Sequence, residues 1–326
     1  MSSSSKKQLE NNPKIKKGVT TLLDDFYNTP RTSLIFFHFE PHPFQSADLR
    51  MQNCAIKHAS LDGKDLYILD GFFEKSEGEA MQAFSKKATF SRNSYGSPEA
   101  IERGEKPAGS MNGKERWQFF SNPPSPILEL YKLVGMIAHR INAEITTLPW
   151  ELCDKKSHGS PAIIANLLAE ASNESMDLGK HQDCNPATGI SFAIPVLYSA
   201  DKATFDQKFI NGDPGKPWIV SVMLYATDEA YLPEYCMGTV FYRENGELSL
   251  STNCSNMRLV IFEGDIFHSI EESKIPSGIN TWRVSYIFKL IINPHQENQS
   301  AKKMFCEWIS NLSKVETIPL GHGSRA

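Results

Sequence analysis

The sequence predicts a mainly β fold with flanking helices: an antiparallel sandwich, barrel or jelly roll rather than a parallel α/β sheet. Three observations predict it. After Pro149 the chain breaks into short segments rich in β-branched and aromatic residues, at 162–169, 190–198, 218–226, 239–243, 248–252, 258–262 and 284–292. Turn-forming stretches such as Asn211-Gly-Asp-Pro-Gly and Glu244-Asn-Gly separate them. No helical periodicity lies between them, which a parallel sheet with crossover helices would require.

Ahead of this series the chain is more mixed. Residues 1–18 are rich in Ser, Lys and Asn and read as a tail. A short helix is expected at 18–27, before Thr29-Pro30, and an edge strand or ordered arm at 34–44, where Pro41 and Pro43 punctuate aromatic text. Asp65-Leu-Tyr-Ile-Leu-Asp-Gly-Phe-Phe reads as a short strand and 77–84 as a helix. The stretch 89–120, rich in Gly, Ser, Asn and charge and ending in Trp117-Gln-Phe-Phe, reads as a lid-like loop. The best helix is 127–141, where Leu130, Tyr131, Val134, Ile137, Ala138 and Ile141 recur at three- and four-residue steps behind Pro123, Pro124 and Pro126. A last helix is expected at 301–312. The implied organisation is a tail and arm at 1–64, a central domain at 65–295, and a C-terminal helix and tail at 296–326.

Composition narrows the function. With 40% hydrophobic and 22% charged residues, the chain matches soluble globular proteins and is neither fibrous nor largely disordered. A net charge of −4 argues against a dedicated nucleic-acid binder with a strongly basic surface. No apolar run is long enough to cross a bilayer, and no membrane partner is expected. The opening Met1-Ser-Ser-Ser-Ser-Lys-Lys is polar, and the six cysteines are scattered without a CxxC pair, so reduced thiols and a cytoplasmic location are expected.

The chemistry is concentrated in the β-rich half. In His181-Gln182-Asp183 the two outer residues of an extended segment point to the same side, so imidazole and carboxylate can converge. A single HxD is a weak signal, and His38-Phe39-Glu40-Pro41-His42, among prolines, reads as structural text. What lifts His181 and Asp183 is a partner 87 residues on: Arg258-Leu-Val-Ile-Phe runs into a turn and then His268-Ser269. Two histidines and one carboxylate suit a non-haem Fe(II) site with open coordination positions. In Trp282-Arg283-Val284-Ser285, Arg283 and Ser285 share a strand face, where a guanidinium and a hydroxyl can clamp a carboxylate. His139, His158, His295 and His322 carry no such partner spacing.

His181-x-Asp183, His268 and Arg283-x-Ser285 in this order resemble the Fe(II)/2-oxoglutarate-dependent oxygenase superfamily, in its prolyl-hydroxylase-like branch. Gly238-Thr-Val-Phe-Tyr is similar to that family's strand before the second histidine, with one glycine where the family commonly has two. The 15-residue step from His268 to Arg283 is longer than most members show, and the insert Lys274-Ile-Pro-Ser-Gly-Ile-Asn can absorb the difference. The resemblance implies a double-stranded β-helix (jelly roll), with Fe(II) on His181, Asp183 and His268 and 2-oxoglutarate as co-substrate held by Arg283 and Ser285. A second group on 2-oxoglutarate is unassigned; Tyr225 and Asn166 are the candidates.

The resemblance further implies a dioxygenase that hydroxylates a C–H bond of a peptidyl residue, such as proline, or of a small amino-acid-like substrate. O2 and 2-oxoglutarate would become succinate and CO2. Asp183 disfavours halogenation, because related halogenases replace that carboxylate with a small residue. Two other classes stand beside this one: an iron oxidase that does not use 2-oxoglutarate, and a catalytically inactive jelly-roll binding module.

Overall fold

The computed structural model describes residues 44–87, 91–92, 109–110, 123–147, 163–169, 180–184, 186–188, 208–227, 229–276, 279, 281–312, 314–320 and 324–325. The helix expected at 18–27, the His38–His42 pattern, the strand expected at 190–198 and most of the 89–120 loop lie outside them.

Among the described residues there are four α-helices: α1 (Phe44–Asn53), α2 (Lys75–Lys87), α3 (Ser125–Arg140) and α4 (Ala301–Ser310). The N-terminal strands are β1 (Ala55–Leu61), β2 (Lys64–Asp70), β3 (Ser91–Arg92), β4 (Gly109–Ser110) and β5 (Ala143–Thr147). Then come β6 (Ile163–Ala169), β7 (Trp218–Tyr225), β8 (Thr239–Tyr242), β9 (Leu248–Thr252) and β10 (Leu259–Glu263). The last are β11 (Phe267–Ile270), β12 (Trp282–Pro294), β13 (Val315–Thr317) and β14 (Ser324–Arg325).

The strands form a 10-stranded sheet, in the order β13-β1-β2-β10-β7-β12-β6-β4-β3 with β5 also on β12, and a 4-stranded sheet, β11-β8-β9-β14. The strand β12 is the spine of the large sheet. It pairs with β7 from Ser285 to Ile292 along one edge, and with β6 and then β5 along the other.

Period-two alternation assigns the two faces of this sheet to two cores. Trp218, Val220, Val222 and Leu224 of β7, with Val284, Tyr286, Phe288, Leu290 and Ile292 of β12, join Leu130, Val134 and Ile137 of α3 and Phe305 of α4 in one apolar cluster. Met223 and Tyr225 face the other way, into a second cluster shared with Phe241 and Leu250 of the small sheet. Gly238 marks how closely β8 and β9 approach, since a Cβ there would overlap the carbonyl of Thr252.

Two differences from the sequence reading have physical reasons. The all-antiparallel expectation fails at two edges, where β13 runs parallel to β1 and β14 parallel to β9. An edge strand accepts a partner in either direction, and the chain after α4 arrives running the same way as β1. Residues 44–61, placed by sequence in the tail and arm, form α1 and β1, and Ala47, Met51, Cys54 and Ile56 are buried in the first core. The strand β1 escaped notice because Lys57, His58 and Ser60 dilute its apolar alternation. No helix among the described residues is long and apolar enough to cross a membrane.

The C-terminal helix is held by Phe305, whose ring centroid lies 5.1 Å from those of both Tyr67 and Trp218. Phe305→Ala should destabilise the protein by about 3–5 kcal/mol. Urea unfolding should show a lower midpoint with an unchanged slope.

Candidate metal centre

The site is organised around the turn that joins β10 to β11, closed by Ile266 N–H donating to the Glu263 carbonyl at 3.0 Å. The segment carrying His181 and Asp183 is stapled to this turn. The backbone N–H groups of His181 and His268 each donate to the other residue's carbonyl, at 3.0 and 2.9 Å, and Cys184 N–H donates to Gly264 O at 3.0 Å. The Gln182 side-chain amide donates to Asp265 O at 2.6 Å. Gly264 leaves room for this approach: a Cβ there would sit 2.8 Å from Cys184 Sγ and push the thiol aside.

The turn is itself tied to the large sheet. Gly264 N–H donates to Ile219 O at 3.0 Å. Asn211 Nδ2 donates to Asp265 Oδ1 at 2.9 Å, and Lys64 Nζ lies 3.2 Å from Asp265 Oδ2. Ahead of His181, the Lys180 ammonium sits over the Tyr242 and Phe267 rings, 4.7 and 5.2 Å from their centroids. Two residues two apart in sequence are thereby fixed against a third far along the chain.

Asp183 Oδ1 lies 3.8 Å from His181 Nε2 and 3.9 Å from His268 Nε2. One ligand atom from each of the three residues falls within 4.8 Å of the others, the one such group of His, Cys, Asp or Glu among the described residues. These three residues can hold a metal ion. His181 is part-exposed, whereas Asp183 and His268 are buried, so the group opens to one side.

The donors are prepared for that role. His268 Nδ1 is 3.0 Å from the Ile266 carbonyl, which can only accept, so the proton sits on Nδ1 and the Nε2 lone pair faces Asp183. Burial lowers the His268 pKa; Asp183 opposes this, and His181 adds to it. The result favours the neutral imidazole that a metal needs. For Asp183, burial pushes the pKa up, but the Lys289 ammonium, His268 and hydrogen bonds from Lys289 and Ser221 overcome it and hold the carboxyl well below the usual range. Phe262 packs 4.8 Å from the His268 ring and Phe241 packs 6.1 Å away, walling one side of the site with apolar rings.

Arg283 and Ser285 are inside the protein, 1% and 0% exposed. Arg283 Nη1 donates to Ser285 Oγ at 3.2 Å, and the guanidinium lies 5.1 Å from the Tyr225 ring centroid. Its Nη2 reaches Met223 Sδ at 3.9 Å, and its buried Nε has no hydrogen-bond partner. Among the described residues no carboxylate pairs with this cation. The Tyr225 hydroxyl is engaged with Thr239 Oγ1 at 2.6 Å and Thr252 Oγ1 at 3.2 Å. Asn166 pairs in register with Ser285 across β6 and β12.

No protein-family model matches the chain, and no curated protein matches it. Among solved structures, the chain is similar to a prolyl hydroxylase in complex with a hypoxia inducible factor oxygen degradation domain peptide fragment from Trichoplax adhaerens. The match has 11% identity and a TM-score of 0.37, and covers 83% of this chain and 98% of that one. At this level of likeness the chemistry has to be read from the site itself.

Two site residues escaped the sequence reading. Ser221 donates from β7 to Asp183 Oδ2. Lys289 Nζ lies 2.5 Å from Asp183 Oδ1. Lys289 did carry a signal: it is the one charge within Tyr286-Ile-Phe-Lys-Leu-Ile-Ile, in strand parity with Arg283 and Ser285. A lone cation in an apolar central strand needs a buried partner.

The geometry predicts that purified protein takes up one Mn(II) or Co(II) per chain. His181→Ala, Asp183→Ala and His268→Ala should each weaken metal affinity by at least the roughly 10–100-fold seen when groups behind metal ligands are changed. Metal analysis after gel filtration checks this, and wild-type content in all three variants would remove the assignment.

Proposed function

We propose that the protein is an Fe(II)- and 2-oxoglutarate-dependent dioxygenase. In this reading it hydroxylates a C–H bond of a peptidyl residue, such as proline, or of a small amino-acid-like substrate. The observation that carries the reading is Arg283: a guanidinium buried to 1% exposure, with an unpartnered Nε and no carboxylate among the described residues. A buried cation left without an anion is strongly destabilising unless a ligand supplies one. Its place on the same inward face of β12 as the Asp183-paired Lys289 favours a ligand that spans from the metal to the guanidinium.

The strand order supports a double-stranded β-helix. The His181 segment lies on β11, followed by β8 and β9, and this layer faces β12, β7, β10, β2 and β1 across the second core. The unit proposed to carry the activity is residues 65–295, with α1 and β1 built onto it. A cytoplasmic location is part of the same reading; the five cysteines among the described residues are free thiols.

His181, Asp183 and His268 would hold the metal, and the donor set fits it: two imidazole Nε2 atoms and a deprotonated carboxylate oxygen converging with one side open. The chemistry supplied by bound iron and 2-oxoglutarate is the reduction of O2, with one oxygen atom entering the substrate C–H bond and the other entering succinate as CO2 leaves. The rest is the chain's own work. Arg283 and Ser285 receive the far carboxylate of 2-oxoglutarate, and the Tyr225 ring beneath fixes the plane of the guanidinium. The Ile266 carbonyl keeps His268 in the tautomer that presents Nε2. Phe241 and Phe262 keep water from that side of the site.

Arg283→Ala should retain the metal but weaken 2-oxoglutarate binding by roughly 30-fold or more, as expected for about 2 kcal/mol or more lost with a buried charge partner. Anaerobic titration with Mn(II) present measures it. Unchanged affinity would favour an oxidase that does not use 2-oxoglutarate. Absence of succinate release across a peptide and amino-acid panel, with metal and 2-oxoglutarate both bound, would favour a binding module.

A further inference from the structure

The strand β12 places a second cation at the site. Lys289 is 2% exposed, and its ammonium lies 2.5 Å from Asp183 Oδ1. That is the same oxygen that faces His181 Nε2 at 3.8 Å and His268 Nε2 at 3.9 Å, while Oδ2 is taken by Ser221. The ammonium therefore sits on the oxygen that the metal would use. The strand holds Lys289 at this level of the site, since it pairs directly with Ser221, the residue whose hydroxyl bonds Asp183 Oδ2.

We infer that Lys289 couples metal binding to binding of a dianionic 2-oxo acid: it opposes the metal alone and takes the metal-proximal carboxylate of the co-substrate when both are present. The inference rests on the metal and 2-oxoglutarate reading above. The charge balance behind it is simple. Asp183 carries one negative charge, while Lys289 and Arg283 each carry a positive one on the inward face of β12. A divalent cation entering alone must displace the ammonium from Oδ1 and remain beside it in a buried, weakly screened space. A dicarboxylate arriving with it supplies one carboxylate for each cation. Lys289 leaves Oδ1 for the carboxylate next to the metal, and Arg283 receives the other. Because coupling between two ligands is reciprocal, the metal tightens the 2-oxo acid by the same factor that the 2-oxo acid tightens the metal. In this role Lys289 is a positioning residue: it sets the order and the interdependence of binding.

The test is anaerobic calorimetric titration of the full chain with Mn(II), with and without saturating 2-oxoglutarate, for wild type, Lys289→Met and Lys289→Gln. In wild type, 2-oxoglutarate should raise Mn(II) affinity at least about tenfold, and either variant should bind Mn(II) alone at least about tenfold more tightly than wild type, as removal of a unit charge a few ångströms away requires. The enhancement by 2-oxoglutarate should shrink in the variants. A purely structural lysine would give the opposite sign, since a loosened site binds metal more weakly. Lys289→Gln keeps a polar side chain of similar reach, should Lys289→Met fail to fold. Variants that bind Mn(II) no more tightly than wild type would overturn the role of Lys289 while leaving the metal site intact. A wild-type chain that binds no Mn(II), with or without 2-oxoglutarate, would overturn the metal reading itself.

Discussion

Because β12 is hydrogen-bonded on both edges over most of its length, its side chains cannot exchange faces, and a shift of one residue would turn every one of them over. Val284, Tyr286, Phe288, Leu290 and Ile292 lie in the helix-covered core. That locks Arg283, Ser285 and Lys289 onto the inner face, where no slippage can expose them. The apolar residues thus do more than fill a core. Their burial holds two cations in a place they would otherwise leave.

The second determinant is the turn between β10 and β11. Gly264 is bonded to β7 on one side and to Cys184 on the other, while the Asp265 side chain collects Asn211 and Lys64. The His181–Asp183 segment is short, and a lone bridge to β11 would leave it free to rotate. Bonds before, within and after it fix the directions of both side chains. Preorganisation of this kind matters for metal affinity, since the ligands need not be gathered at the moment of binding.

Much of this was legible in the sequence, for identifiable reasons. The strands β7, β10 and β12 are rich in large apolar and β-branched residues, β9 alternates Leu with Ser, and turn residues bound them. His181, Asp183 and His268 were legible because spacing and strand parity converge on one donor set. The second core also needs β1, whose polar residues hide its period, and the metal centre needs β11, whose four residues are too few to show one. The pairing of Lys289 with Asp183 spans more than a hundred residues, and no local pattern encodes which buried carboxylate meets which buried amine. Parallel edges are equally invisible, since strand direction depends on where a preceding helix delivers the chain.

One edge of the large sheet is closed by β13. Its backbone neighbours complete the ladder along β1, with Ile56 N–H bonded to Lys314 O at 3.1 Å and Ile318 N–H to His58 O at 2.8 Å. The side chains of Glu316 and Thr317 meanwhile face solvent. Apart from Val315, which rests on the first core, this strand works through its main chain and places little demand on residue identity. Glu316 and Thr317 are free to drift in sequence, provided that neither becomes proline. What the strand protects is larger than itself, because an uncovered β1 would offer its free N–H and C=O groups to any passing strand, including the same edge of another copy.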